Sequence, residues 1–83
     1  MQSTSSQIKR IEKLFELKKY RTAIDLFNAD NRLMERPKAL FHTGRCYIRL
    51  QQAEHALFLF EKALSIDAND GAVLLELAKY HMP

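Results

Sequence analysis

The segment from Pro37 to Asp70 constrains the fold more than any other stretch, because two helical patterns follow one another in it. In the first pattern, apolar or small residues recur every three or four positions: Leu40, Gly44, Tyr47 and Leu50. In the second pattern, the corresponding residues are Ala56, Phe60, Ala63 and Leu64. This spacing places each set on one helix face, and the polar pair Gln51-Gln52 separates the two helices. A glycine inside a helix costs about 1 kcal/mol relative to alanine, so Gly44 predicts close approach to the second helix of the pair.

The same pattern occurs earlier in the chain and begins again near its end. The stretch ELKKYRTAIDLF matches RLQQAEHALFLF, with Leu17, Ala23 and Phe27 standing 33 positions before Leu50, Ala56 and Phe60. The first copy is degenerate, since Asp30 and Asn31 stand where the second copy has Ala63 and Leu64. After Asp70 the pattern starts again, with Leu74, Leu77 and Ala78 in the places of Leu40, Thr43 and Gly44. An internal repeat of this period is typical of stacked helix pairs.

The second copy resembles a tetratricopeptide (TPR) repeat. The resemblance rests on Leu40, Thr43-Gly44, Tyr47, Ala56 and Phe60, and on the closing ALSIDAND at 63–70. Two places depart from the family pattern, because Leu40 fills an aromatic position and Ala68 fills a proline position. The resemblance implies an all-α, right-handed superhelix of antiparallel helix pairs, an α-solenoid, whose first helices line a concave side. It also implies a protein–protein interaction module that binds a peptide or helical segment and catalyses no reaction.

The repeats divide the chain into four expected parts. These are a disordered tail at 1–6, a degenerate repeat at 7–36, a second repeat at 37–70, and a closing helix or first helix of a truncated third repeat at 71–83. Five helices are predicted, near 7–17, 20–30, 37–50, 53–66 and 71–81. Ser5 or Ser6 is the expected N-cap of the first helix, and Pro37 suits the start of the third.

Composition excludes several classes of protein. With 83 residues, 47% of them hydrophobic and 28% charged, the chain is one globular domain at most. The net charge of +3 is mild, so a helical-repeat nucleic-acid binder is a weaker alternative to a protein binder. No apolar run approaches the roughly 20 residues of a membrane span. The opening MQSTSSQ lacks the apolar part of a secretory signal, and one cysteine fits a reducing compartment. The expected location is cytoplasmic, with the nucleus as alternative.

No set of residues with catalytic or metal-binding spacing is present. The chain has no glycine-rich phosphate loop, no paired cysteines and no HExxH motif. His42, His55 and His81 lie on three different predicted helices, which argues against a shared metal site. Cys46 lies on the predicted face that also carries Ala39, where a small buried thiol is the simpler interpretation than a nucleophile. We therefore predict neither enzymatic activity nor a cofactor.

The predicted partner-binding surface is the third face of helix 37–50. It carries a basic stripe and two apolar side chains: Lys38, Phe41, His42, Arg45, Ile48 and Arg49. Glu12 and Glu16 of the first helix are expected across the groove and balance part of this charge. The functional interpretation is a groove for an acidic or carboxylate-bearing segment of a partner protein. The competing interpretation is an ordinary solvated helix face.

Two apolar residues point away from the predicted core. Phe58 lies opposite the inward set of its helix, so it is either a chance exposed residue or a contact on the convex side. Leu75, Tyr80 and Met82 lie on the last helix, where a further helix would cover part of them in a full repeat. The sequence therefore predicts either an excerpt of a longer repeat protein or a chain that forms a homodimer through this helix, since repeat arrays need at least about three units.

Overall fold

The computed structural model describes residues 3–81, which contain five α-helices, one 3₁₀ helix and no strand. The α-helices are α1 at Thr4–Glu16, α2 at Tyr20–Asn28, α3 at Pro37–Arg49, α4 at Ala53–Ile66 and α5 at Gly71–His81. The 3₁₀ helix spans Asn31–Glu35 and stands between α2 and α3. The predicted all-α class with five helices is confirmed.

Helix α1 begins three residues earlier than the sequence predicts. The side chain of Ser3, not that of Ser5 or Ser6, accepts a hydrogen bond from the backbone N–H of Ser6 at 3.1 Å. This contact satisfies one of the free N–H groups of the first turn, which allows the helix to start at Thr4. The expected disordered tail at 1–6 is therefore wrong for residues 4–6, and residues 1–2 lie outside the described part of the chain.

The same backbone turn ends α1 and α3. Lys18 and Gln51 adopt left-handed conformations with φ of 63° and 61°. The next residue in each turn, Lys19 or Gln52, donates its N–H to the carbonyl of Leu14 or Tyr47 at 2.8 and 2.9 Å. Both turns are Schellman motifs, in which the left-handed residue lets the chain reverse and supplies donors to the last free carbonyls. The two turns stand 33 residues apart, as the sequence repeat does.

Helix α2 is shorter than its counterpart α4 because a side-chain cap starts a new element after it. The predicted helix to residue 30 ends instead at Asn28. Asp30 accepts a hydrogen bond from the backbone N–H of Arg32 at 3.0 Å, and its carboxylate also accepts from Arg32 Nε and Nη2 at 2.9 and 2.7 Å. The 3₁₀ helix that follows buries Leu33 completely. Leu33 thereby joins the core although α2 has ended.

The helices pack in sequence order. α1 packs on α2, α2 on α3, α3 on α4 and α4 on α5, and α1 also contacts α3 directly. The core consists of buried apolar side chains from every helix, among them Ile11, Phe27, Leu40, Phe60 and Val73. Gly44 faces Phe60 of α4 so closely that an ideal Cβ on Gly44 would lie 2.5 Å from Cε1 of that ring. The predicted close approach of Gly44 to the second helix of its pair is confirmed.

Helix α5 packs on the preceding pair through fewer residues than predicted. The Oδ1 atom of Asp70 accepts from the N–H groups of Ala72 and Val73 at 3.1 and 3.3 Å, which caps the helix. Val73 is fully buried and Leu77 is partly buried, but Leu74 and Ala78 are exposed and do not pack back as expected. Their positions match Leu40 and Gly44, which face α4, so they lie on the side where a paired helix would stand. The sequence also predicts that Tyr80 and Met82 point away from the core, but the side chains of both residues lie outside the described part of the chain.

Candidate functional site

The residues predicted to bind a partner lie on α1 and α3, and α5 contacts them through Glu76. We use the name basic face for the cations Lys38, Arg45 and Arg49 of α3 and Lys79 of α5, together with His42 of α3. Helix α3 carries three Lys or Arg residues and no Asp or Glu, so it supplies most of this charge. A shallow depression lies on each side of α3, one toward α5 and one toward α1.

Arg45 is the most closely held cation of the basic face. Its guanidinium lies over the ring of Phe15 at 4.1 Å from the centroid and near the ring of Phe41 at 5.4 Å. Its Nε lies 3.8 Å from Oε1 of Glu76, and its side chain is 30% exposed. A guanidinium stacked on aromatic rings keeps its planar donor edge available and loses less freedom on binding a carboxylate. Arg45 is therefore both accessible and positioned in advance.

The depression between α3 and α5 collects charges from both helices. Arg45, Ile48 and Arg49 line one side of it, and Glu76 and Lys79 line the other. Lys79 Nζ lies 3.8 Å from Oε1 of Glu76, and Arg49 lies over Phe15 at 5.6 Å from the ring centroid. Three cations thus surround one carboxylate in a depression of about 140 Å³.

Next to the depression between α1 and α3 lies a mostly covered histidine, which contacts Glu12 of that depression. The His42 side chain is 13% exposed, and its Nε2 lies 3.4 Å from Oε2 of Glu12. Burial lowers the pKa of His42 below its ordinary value, Glu12 raises it in part, and Arg45 and Lys38 lower it further. Lys38 and Glu12 line this depression with Ile8 and Arg36 among its other residues. His42 is therefore a neutral group of the face at neutral pH.

The other residues predicted for the groove differ in their burial and in their ion pairs. Phe41 and Ile48 are half-buried, and the Phe41 ring packs 6.4 Å from that of Phe60, so it supports the face from beneath. Glu16 is exposed and forms no ion pair among the described residues. The carboxylate nearest to Arg45 comes from α5 instead.

The sequence analysis does not assign Phe15, Glu76 and Lys79 to the groove. The offset between the repeats would have identified them. Glu76 and Lys79 stand 34 positions after His42 and Arg45, and Phe15 stands 33 positions before Ile48, so all three occupy positions already assigned to the groove.

Phe58 and Leu75 are equally exposed, at 61% each, and lie outside the basic face. Phe58 borders a cavity between α2 and α4 whose other residues include Phe27, Met34, Tyr47 and Leu59. Leu75 lies on α5 beside Leu74, which is 46% exposed. The structure does not bring Phe58 and Leu75 together with the groove residues.

The only cysteine of the chain is buried in the core. Cys46 is fully buried, and burial raises the pKa of its thiol to about 11, so it stays protonated and weakly nucleophilic. Among the side chains that the structure describes, at residues 3–79, no group of three or more His, Cys, Asp or Glu lies close enough to hold a metal ion. None of the helices described has both the length and the apolar character that crossing a membrane requires.

Comparison with known proteins supports the repeat as the organising unit. Residues 37–70 match the family model described as Tetratricopeptide repeat. Comparisons of the chain with curated proteins and with solved structures gave no match. The matched range coincides with α3, α4 and the loop that follows them, where Gly44 and Phe60 form the close helix contact. Residues 37–70 are therefore similar to a tetratricopeptide repeat.

Proposed function

We propose that this chain is a protein-interaction module whose basic face binds an acidic, extended segment of a partner protein. The TPR repeat supports a protein-interaction role in general. The observation that carries the finer proposal is the geometry of Arg45, which Phe15 and Phe41 hold beside Arg49 and Lys79. Charge-assisted hydrogen bonds to such a guanidinium select carboxylates by both charge and planar geometry.

The contact between Arg45 and Glu76 favours a ligand that replaces it. Their separation of 3.8 Å is longer than the roughly 2.7–2.9 Å of a strong charge-assisted hydrogen bond. A partner carboxylate that approaches to hydrogen-bond distance would therefore gain an interaction that Glu76 does not provide. The surface of this depression is mainly polar, which suits the charged groups of such a ligand.

A protein partner fits this face better than a nucleic acid. Glu12 and Glu76 contact His42 and Arg45 of the basic face, and both carboxylates would repel a continuous phosphate backbone. The total charge of +3 is also small for a protein that neutralises many phosphates. A segment with a few spaced carboxylates can avoid both glutamates, whereas a duplex or a long single strand cannot.

A binding assay with a defined acidic peptide tests the proposal. The probe is a fluorescein-labelled peptide rich in glutamate, and its matched control has glutamine at every glutamate position. We expect the acidic peptide alone to bind, with affinity that falls as salt increases because the contacts are charged. The double change Arg45→Glu and Arg49→Glu should weaken binding by roughly tenfold or more, because it replaces attraction by like-charge repulsion.

Two further variants separate the site from overall charge. Arg49→Glu on the basic face should weaken binding, whereas Arg21→Glu, an equal change of charge at an exposed position on α2, should leave it almost unchanged. Circular dichroism confirms that each variant keeps its helices. Equal loss from the two changes would show that net charge alone drives binding, and binding insensitive to both variants and to salt would overturn the proposal.

A further inference from the structure

The outer side of α4 carries an exposed stripe with an aromatic residue at its centre. Glu54, His55, Phe58 and Glu61 are exposed along it, and Lys62 is half-exposed at its far end. Phe58 leaves 61% of its surface in water, which is the largest exposure of any large aromatic side chain among the described residues. Burial of this ring against another surface would release its hydration shell.

A cavity large enough for an aromatic side chain lies beside that ring. It has a volume of about 210 Å³ and is lined mainly by the apolar side chains of Phe27, Met34, Tyr47 and Leu59. It lies between α2 and α4, at the end of α2, where Asn28 also lines it. An exposed ring and a cavity that could receive such a ring thus stand side by side on one surface. A two-fold symmetric interface requires this arrangement, because each subunit must offer both parts.

Two opposite charges on the stripe, Glu54 and Lys62, lie symmetrically about Phe58. Glu54 lies four residues before Phe58 and Lys62 lies four residues after it. His55 and Glu61 lie three residues before and after it. If two copies of α4 pack antiparallel with their Phe58 residues at the centre, Glu54 of each copy faces Lys62 of the other. Complementary charges of this kind fix the orientation and register of paired helices.

We propose that two copies of this chain associate through antiparallel α4 helices, each placing Phe58 in the cavity beside the other copy's Phe58. The occupant of this surface is therefore a second copy rather than an unrelated partner. The surface uses α2 and α4, so it leaves the basic face of α3 and α5 open in both copies. One helix packed on one helix is at the small end of specific interfaces, so the dimer is weak and depends on concentration.

The exposed side of α5 does not offer the same complementarity. An antiparallel pair centred on Leu75 would place Glu76 opposite Leu74 and Lys79 opposite Gly71. Neither charge would meet an opposite charge there. Leu75 is as exposed as Phe58 but lies outside the stripe, which makes it a matched control.

Sedimentation equilibrium of the 83-residue chain over a wide concentration range tests the proposal. We expect a monomer–dimer equilibrium that Phe58→Ala weakens by roughly tenfold or more, as central aromatic contacts of interfaces do. Leu75→Ala should leave it unchanged. Because both side chains are mostly exposed, neither change should unfold the chain, and a thermal melt checks this. A monomer at every soluble concentration would overturn the proposal, and so would a dimer that Phe58→Ala does not weaken.

A charge exchange tests the antiparallel register itself. Glu54→Lys and Lys62→Glu should each weaken self-association, because each places like charges opposite one another twice in the dimer. An equimolar mixture of the two variants should form a heterodimer, since both contacts between positions 54 and 62 then join opposite charges. The double variant should form a homodimer for the same reason. Failure of both the mixture and the double variant to recover association would contradict the register, and association unaffected by the single changes would contradict it equally.

Discussion

At the scale of single residues, the contact between Gly44 and Phe60 determines how closely α3 and α4 approach. The Phe60 ring is fully buried and three of its carbons lie within 3.0 Å of an ideal Cβ at position 44. A buried aromatic ring in a close-packed core has little space into which it can move. The absence of a side chain at position 44 is therefore part of the helix interface.

Substitution at Gly44 should destabilise the fold by overpacking. We expect Gly44→Ala to cost about 1–3 kcal/mol of unfolding free energy and Gly44→Leu to cost more, because the ring of Phe60 or the backbone must shift. Gly71→Ala is the matched control, since nothing lies within 4 Å of its Cβ position. That change should stabilise the chain by up to about 1 kcal/mol through helix propensity. Urea denaturation measures both, and a Gly44→Leu variant as stable as the parent would contradict the observed packing.

His42 should make the stability of the fold depend on pH. Its pKa is lowered in the folded chain, so the unfolded chain takes up the proton at a higher pH. Stability should therefore fall as pH decreases through the ordinary histidine value of 6.5 toward the lowered pKa. Urea midpoints measured along this range should show the loss, and His42→Gln should remove most of it.

A second histidine variant isolates this effect. His55→Gln changes an exposed histidine of α4 and should leave the pH dependence in place. A dependence that persists in full when His42 is replaced would contradict its assignment to His42.

At the scale of helices and turns, the ends of α1 and α3 carry avoidable strain. Lys18 and Gln51 hold left-handed conformations, which cost a residue with a Cβ roughly 1–2 kcal/mol, whereas glycine adopts them readily. We expect Gln51→Gly to raise the unfolding free energy by roughly 0.5–1 kcal/mol despite the greater freedom of glycine in the unfolded chain. Thermal melts of the variant and parent measure the difference.

The neighbouring residue provides the control for this turn. Gln52 has φ of −114°, which any residue adopts, so Gln52→Gly should only add freedom to the unfolded chain and lower stability. Stabilisation by both substitutions would mean that the left-handed conformation is not the cause.

Helical periodicity predicted most of the fold because apolar spacing fixes which face of each helix is buried. Ala23, Phe27, Ala56 and Phe60 were assigned to the core from spacing alone and are buried. The start of α1 was misplaced because three further residues beside Ser3 could also have served as caps. The 3₁₀ helix was missed because it depends on the carboxylate of Asp30 bonding to Arg32, a local interaction that apolar spacing does not reveal.

The candidate site was predictable in its position but not in its contacts. The basic stripe of α3 follows from the spacing within one helix, and Arg45 and Arg49 of that stripe line one depression. The stacking of Arg45 on Phe15 and its approach to Glu76 join three helices. Such contacts depend on the relative rotation of the helices, which one helix's spacing does not determine.

At the scale of the whole molecule, each helix depends mainly on its neighbours in the sequence, as in other repeat proteins. Helix α3 packs on both α2 and α4, whereas α5 packs mainly on α4 through Val73 and Leu77. Local opening should therefore require less free energy at α5 than in the central helices.

Hydrogen exchange measured by mass spectrometry should show this gradient. We expect amides of α5 to exchange faster than those of α3 and α4. Val73→Ala removes two buried methyl groups, worth about 1.5 kcal/mol, and should increase exchange in α5 while α1 and α2 stay protected. Equal loss of protection along the entire chain would indicate a single cooperative unit instead.

The buried thiol of Cys46 can report how often the core of this chain opens. The chain has one cysteine, it lies within the core, and it is protonated while the fold is closed. A thiol reagent can modify it only during moments when α3 separates from the helices that precede it. The rate of labelling in native buffer therefore counts those openings directly, without an added probe. Burial thus makes Cys46 unreactive in the closed fold and, for the same reason, makes its labelling rate a measure of how often the core opens.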